Sequence, residues 1–186
     1  MKRVVAWMTM LCSLAAVGLP ENAGNGELTC ILQLNGLGPS VTTDPRTHLH
    51  FVLLSNRDGI DVFEDWNSWG YFTKSFAASD SQSRNYEITR VPPDGWTRNF
   101  PSVVTLNRGQ FLITDIYLCD GTWRVSPKMS VPSGQELRVI ARFKEARDPG
   151  LALALGNPWV GNIESAPIEL SLSKSCIAHL NAGVKR

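Results

Sequence analysis

Two histidines separated by a single residue are the first candidates for chemistry in this sequence. His48 and His50 lie in an apolar run over residues 48–54 that is typical of a β-strand. Residues two apart on a strand point to the same face, so both imidazoles could bind one zinc ion. The sequence places no third ligand beside them, since His179 lies near the C-terminus. We therefore interpret the pair as part of a polar outer face, and we predict no metal site and no cofactor.

The densest group of carboxylates matches a calcium-binding loop only in part. It comprises Asp58, Asp61, Glu64 and Asp65. Leu54 stands where the first aspartate of an EF-hand loop is expected, and Asp65 stands where its last glutamate is expected. Asp61 and Glu64 would also point to opposite faces of a strand. The pattern favours a solvated hairpin over a metal site.

No arrangement of residues in the sequence predicts catalysis. Glycoside hydrolysis needs two carboxylates on either side of a bond, but nothing pairs Glu64, Asp65 or Asp115. Nucleophilic hydrolysis needs a serine or cysteine placed beside a histidine. The sequence contains neither a G-x-S-x-G motif nor a glycine-rich phosphate loop. We predict that the protein is not an enzyme, and a small hydrolase with an unrecognised site stays an alternative.

Aromatic residues supply the best candidate for a ligand surface. Trp66, Trp69 and Tyr71 lie close together in the chain, with the amide of Asn67 between them. Aromatic faces beside amides suit sugar rings or a protein partner, whereas the competing interpretation is that these rings fill the core. Trp159 ends an apolar segment over 151–159 that is either a packed element, which its alternation favours, or an exposed binding loop.

The four residues predicted as a possible surface for a protein or carbohydrate partner are Trp66, Trp69, Tyr71 and Trp159.

The first 18 residues have the layout of a secretory signal. Two basic residues precede an apolar run over 4–14, and Ala16 and Gly18 are small residues suited to cleavage after position 18. The apolar run is shorter than the ~20 residues of a membrane-spanning helix. We predict a signal peptide over 1–18, a flexible leader over 19–26 and a secreted or periplasmic product, with an uncleaved anchor as the alternative.

The predicted compartment bears on the redox state of the cysteines. Cys12 lies in the predicted signal, so export leaves Cys30, Cys119 and Cys176. The first and last strands of a sandwich often lie side by side, and an oxidising compartment allows disulfides. We therefore predict a disulfide between Cys30 in the first predicted strand and Cys176 just after the last, with Cys119 as a buried thiol. The alternative is that all three are reduced and buried.

Composition indicates one ordinary globular domain. The chain has 186 residues, of which 43% are apolar and 19% are charged. Lys and Arg total 18 and Asp and Glu total 17, so the formal net charge is +1. This balance gives no electrostatic basis for binding nucleic acid or an anionic membrane. No apolar run after the predicted signal approaches the length of a membrane span.

The elements that must position these residues are short strands. About eight segments alternate apolar and polar residues between Gly, Pro and Asp-Gly turns. We predict an all-β, antiparallel β-sandwich of about 7–9 strands over 27–174, with a small barrel as the alternative. A polar, loose C-terminal tail is expected over 175–186. The residues expected to face the core include Phe111, Ile113, Trp123, Leu137, Val139, Ala141 and Phe143, and a shift in phase after Ile113 would also turn Ile116 and Leu118 inward.

Segments in the later half resemble exported bacterial immunoglobulin-like domains. Residues 106–109 resemble the turn before a central strand, and residues 131–143 resemble the step from a proline–glycine turn into an alternating strand. Residues 159–165, leading into 168–170, resemble the entry to the final strand. The layout is similar to that of the bacterial intracellular proteinase inhibitor family. The resemblance covers roughly residues 100–172 and implies an immunoglobulin-like β-sandwich.

These observations predict a secreted or periplasmic, non-catalytic binding module. The first alternative is a secreted proteinase inhibitor, for which the candidate loops span residues 126–134 and 147–159. An inhibitor would have to present a rigid, extended loop to a proteinase. A binding module needs only an exposed surface that complements a partner.

Overall fold

The computed structural model describes residues 26–34, 48–96, 100–132, 134–146 and 158–183. The predicted signal peptide over 1–18 and nearly all of the predicted leader lie outside this part of the chain. The described residues form eleven strands and two helices. In chain order these are β1 (Leu28–Leu34), β2 (His48–Ser55), β3 (Ile60–Phe63), α1 (Ser68–Tyr71), β4 (Lys74–Ser79), β5 (Asn85–Arg90), β6 (Val103–Leu106), β7 (Phe111–Tyr117), β8 (Trp123–Ser126), β9 (Glu136–Glu145), β10 (Gly161–Glu164), β11 (Ile168–Ser171) and α2 (Lys174–Ala182).

Every strand pairing is antiparallel, and the strands form two main sheets and a ribbon. Sheet 1 has the order β1-β2-β7, and sheet 2 has the order β10-β9-β4-β5-β8. The ten-residue strand β9 is long enough to pair β10 at one end and β11 at the other. β3 and β6 pair as a two-stranded ribbon. The all-β prediction is confirmed, the sheets do not close into a barrel, and the described strands exceed the predicted 7–9.

The two sheets face each other through aromatic side chains. The ring of Phe51 in sheet 1 lies 6.5 Å from the ring of Phe76 and 6.3 Å from the ring of Phe143, both in sheet 2. The ring of Phe76 also contacts Trp123 at 5.1 Å. All four side chains are buried. Edge-to-face and tilted ring contacts stabilise the core beyond the burial of apolar surface, and they favour particular orientations of the rings.

Strand β9 presents the inner face that the sequence predicted. Leu137, Val139, Ala141 and Phe143 are buried, and the intervening residues are more exposed. Unpaired arginines between the apolar positions could not be buried, so the two-residue period left only one possible inner face.

The inner face of β7 differs from the prediction in the first half of the strand and agrees with it at Ile116 and Leu118. Phe111 and Ile113 are exposed, whereas Ile116 is buried. Pairing with β2 sets this phase, because Leu112 lies opposite Leu53 and both belong to the inner face. The even-numbered residues of β7 therefore point inward along the whole strand, without the expected shift.

The predicted polar tail over 175–186 is wrong for most of its length, because α2 occupies it. The side chain of Ser173 accepts a hydrogen bond from the backbone of Cys176 and caps the helix N-terminus. Gly183 ends the helix with a positive φ of 54°, a conformation that favours glycine. The residues of α2 buried against the domain are Cys176, Ile177 and Leu180. No helix among the described residues is long and apolar enough to cross a membrane.

The predicted disulfide between Cys30 and Cys176 is wrong. Cys176 is bonded to Cys119, with their Cα atoms 4.7 Å apart. The prediction placed Cys176 at the end of a sheet, whereas it lies in α2, whose packing carries it to the turn after β7. Cys30 is a buried free thiol, and burial raises its pKa to about 12. An inner-face thiol of this kind is not reactive.

Candidate functional site

The outward residues of β2 and β7 combine a polar cluster with apolar side chains. In the register of these strands, His48 lies opposite Tyr117 and His50 lies opposite Asp115. Further along the same face, Val52 lies opposite Ile113, followed by Leu54 opposite Phe111. Alternation along each strand puts all of these side chains on the outer face of sheet 1, away from sheet 2.

One carboxylate holds both histidines at the polar end of this face. Oδ1 of Asp115 lies 3.0 Å from Nε2 of His48 and 2.8 Å from Nδ1 of His50. The side chains are accessible, with exposed fractions of 21% for His48, 29% for His50 and 54% for Asp115. The hydrogen bond from His48, reinforced by that from His50, lowers the pKa of Asp115. The acid is therefore an ionised acceptor at neutral pH, and we call these three residues the His–Asp cluster.

Ring contacts orient the His–Asp cluster. The imidazole of His48 stacks on the ring of Tyr117, with centroids 4.5 Å apart and planes 13° apart. The two imidazoles meet edge to face at 4.7 Å. The donor atoms of the three residues all lie within 4.8 Å of one another, so this is a candidate metal site. The spacing of the two histidines was recognisable in the sequence. Asp115 lies 65 residues from His50 in the chain, and only the pairing of β2 with β7 brings it beside the histidines.

The apolar end of the face consists of five side chains. Phe111 is 60% exposed and Ile113 is 50% exposed. Val52 and Leu54 on β2 are half-buried beside them, and Ile31 on β1 lies opposite Val52. We call these five residues the apolar strip. β7 is the end strand of sheet 1 among the described residues, so the strip reaches an open sheet edge.

The four predicted surface residues do not form one exposed platform, because only Trp66 is exposed and Trp159 is buried. Trp66 is exposed, packs its ring against Phe100 at 5.1 Å and donates its indole N–H to Glu64. Trp69 faces Phe63 at 6.4 Å. Trp66 and Trp69 thus each have a ring partner within the protein.

The other two predicted surface residues are tied to the body of the protein. The hydroxyl of Tyr71 donates to the carbonyl of Val91, and the guanidinium of Arg90 covers its ring at 4.5 Å. Trp159 is buried and stacks on Phe143 at 5.5 Å. The inclusion of Trp159 in an exposed surface is therefore wrong, and the segment 151–157 before it lies outside the described residues.

Asn67, which suggested a polar ligand contact beside the aromatic rings, has a structural role. Its side-chain oxygen accepts hydrogen bonds from the backbone N–H groups of Trp69 and Gly70 and caps α1. Its amide nitrogen donates to Ser102. The side chain is buried and its polar atoms are engaged within the protein.

The four clustered carboxylates bind separate partners. Asp58 accepts from the backbone of Arg108, and Asp61 accepts from Thr105. Glu64 accepts hydrogen bonds from the side chains of Trp66 and Ser102, and Asp65 forms ion pairs with Lys74 and Arg90. These side chains stabilise turns and ion pairs of the fold. The predicted hairpin is wrong, because β3 pairs with β6 and not with β2.

A buried charge lies between the sheets, where the sequence predicted none. Lys74 is 2% exposed and forms an ion pair with Asp65. Its ammonium lies 5.4 Å from the ring centroid of Phe51 and 5.7 Å from that of Phe143, and burial lowers its pKa. Cation–π attraction offsets part of the cost of burying this charge.

Glu145 is a second buried ionisable residue and ends the inner face of β9. It is 4% exposed, and neither carboxyl oxygen has a hydrogen-bond partner among the described residues. Burial raises its pKa to about 8, and the charge of Lys74 opposes this shift. Its position was visible in the sequence, because the two-residue period through Phe143 continues to Glu145.

One of the two loops proposed for an inhibitor is fastened to the domain. Met129 lies in the middle of 126–134 and is buried. Its backbone N–H donates to Asn181 of α2, and its carbonyl accepts from the same side chain. A proteinase would need this stretch extended and accessible, so it is a poor inhibitory loop. Most of the second proposed loop, over 147–157, lies outside the described residues.

Comparison with known proteins adds no family to this description. No protein-family model, curated protein or solved structure matches the chain.

Proposed function

We propose that this chain is an exported, non-catalytic binding module that takes a protein partner on the outer face of sheet 1. We also propose that its two facing sheets have an immunoglobulin-like arrangement. The partner would cover the apolar strip and lie along the open edge of β7.

The observation that carries the proposal is the exposure of Phe111 and Ile113. Each leaves at least half of a large apolar side chain in water, and they are successive outward residues of one strand. Burying apolar surface yields about 25 cal/mol per Å², so covering this strip would stabilise a complex. Contiguous apolar surface of this kind marks interaction sites in monomeric proteins.

The edge position of β7 favours a protein partner over a carbohydrate. Strands at sheet edges present unpaired backbone groups that can bind an added strand. The strip is mostly aliphatic, since Phe111 is joined by Ile113, Val52, Leu54 and Ile31. Sugar rings are held by aromatic faces with polar groups beside them, and the strip lacks that composition.

The disulfide supports export. Disulfides persist in oxidising compartments and are rare in the cytosol. Cys119 and Cys176 are bonded in the folded domain, while the remaining cysteine of the described chain is buried. This agrees with the signal-like layout of residues 1–18.

Photo-crosslinking tests the proposal. p-Benzoylphenylalanine would replace Phe111, which it resembles in shape, and a control variant would carry it at Val160. Val160 is a matched control because it is also an exposed apolar residue but precedes β10 in sheet 2. Both variants would be irradiated in cells that naturally make the protein, and the adducts would be identified by mass spectrometry.

We expect one protein adduct that forms from position 111 and not from position 160. The captured protein, once purified, should bind the unmodified chain. An adduct of twice the chain mass would identify a second copy as the partner. Identical adducts from both positions, or none from position 111, would contradict the proposal.

A further inference from the structure

We propose that His48, His50 and Asp115 bind one divalent transition-metal ion of the zinc class on the outer face of sheet 1. This inference is independent of the proposed partner, because it concerns the polar end of the face and is tested with the metal alone.

The donor atoms are already close to the spacing that a metal requires. Zinc binds imidazole nitrogen and carboxylate oxygen at roughly 2.0–2.2 Å, which places neighbouring ligand atoms about 3 to 3.5 Å apart. Oδ1 of Asp115 lies 3.0 Å from Nε2 of His48 and 2.8 Å from Nδ1 of His50. The two imidazole nitrogens lie within 4.8 Å of each other. Small side-chain rotations would therefore place all three donors around one ion.

The ligand types select the class of ion. Two imidazoles with one carboxylate suit Zn²⁺, Co²⁺ or Ni²⁺. Ca²⁺ and Mg²⁺ prefer oxygen ligands, and this cluster offers only one carboxylate.

The backbone supports the site rigidly. The ligands lie on β2 and β7, which pair along seven residue positions, and β2 is the central strand of sheet 1. The stacking of Tyr117 on His48 limits rotation of that imidazole. Tyr117 is thus a positioning residue. The exposed cluster leaves further coordination positions for water or for a donor atom of a partner.

Calorimetric titration of Zn²⁺ into the untagged chain, freed of metal with a chelator, tests the inference. We expect saturation at one ion per chain, and Mg²⁺ at the same concentrations should give no binding. His50→Gln and Asp115→Asn should each weaken zinc binding at least about tenfold, since even loss of a supporting contact weakens metal sites by about 10–100-fold.

His179→Gln is the matched control, because His179 is exposed on α2 and lies outside the cluster. Its affinity for zinc should equal that of the wild type. Circular dichroism and thermal unfolding would establish that the variants are folded. Absence of one-site binding by the wild type, or equal affinities of His50→Gln and the control, would overturn the inference. Crosslinking from position 111 is measured separately, so failure of the metal site is distinguishable from failure of the proposed function.

Discussion

Replacing the buried acid Glu145 by glutamine should stabilise the protein at neutral pH. The carboxyl has an ordinary pKa of 4.5, and burial raises it to about 8 in the folded state. Between these values the folded protein holds a proton that the unfolded chain releases. The folding stability due to this group is therefore fully present below pH 4.5 and is lost as the pH rises to about 8.

The size of the effect follows from the same shift. Each pH unit above 4.5 costs about 1.4 kcal/mol, so at pH 7 the buried acid costs about 3 kcal/mol of folding free energy. Glutamine has nearly the same shape and no proton to lose, so Glu145→Gln removes this cost. The free energy of unfolding of the variant should match that of the wild type near pH 4.5 and exceed it by about 3 kcal/mol at pH 7.

Urea denaturation at pH 4.5, 6, 7 and 8 would measure the difference. Glu136→Gln is the matched control, because Glu136 begins the same strand and is exposed. That control should stay within about 0.5 kcal/mol of the wild type at every pH. A difference for Glu145→Gln that does not change with pH, or a variant less stable than the wild type at pH 7, would refute the reasoning.

The remaining stability predictions concern the core and the disulfide. Phe143→Ala should lower the free energy of unfolding by about 3–5 kcal/mol, because it leaves a cavity between the sheets. Arg142→Ala should lower it by less than about 1 kcal/mol, because the ion pair of Arg142 with Glu164 is exposed. Urea midpoints that rank the two variants the other way would contradict the assigned inner face of β9. Cys176→Ser should lower the free energy of unfolding by about 4 kcal/mol, since the bond to Cys119 spans 57 residues. Mass spectrometry showing Cys119 free in the oxidised wild type would contradict that bond.

The features predicted correctly are those that depend only on the local alternation of apolar and polar residues along a strand. The inner face of β9 was assigned correctly, because arginines separate its apolar residues and leave only one face to bury. In β7 the outward Phe111 and Ile113 and the inward Leu112 and Ile116 are all apolar. Alternation cannot choose between two apolar faces, so the choice depends on register with β2, which a single sequence does not reveal.

The rest of the site and the disulfide depend on contacts between distant segments. His48 and His50 were recognisable from their spacing, but Asp115 joins them only through the pairing of β2 with β7. The disulfide of Cys176 depends on the folding of the C-terminal segment into α2, and the polar residues of that segment did not predict a helix. The four predicted aromatic residues were chosen by residue type alone, and packing buried Trp159.

The affinity of the crosslinked partner for the chain tests the central claim most directly. Isothermal titration would compare the wild type, Ile113→Lys and Val160→Lys. Both variants add one charge at an exposed apolar residue, but only Ile113 lies in the apolar strip. Replacing a hot-spot residue of an interface costs about 2 kcal/mol or more, and we expect Ile113 to be one. Ile113→Lys should therefore weaken binding by about 30-fold or more, while Val160→Lys should leave it unchanged. Equal affinities of the two variants would contradict the assignment of the outer face of sheet 1 as the binding surface.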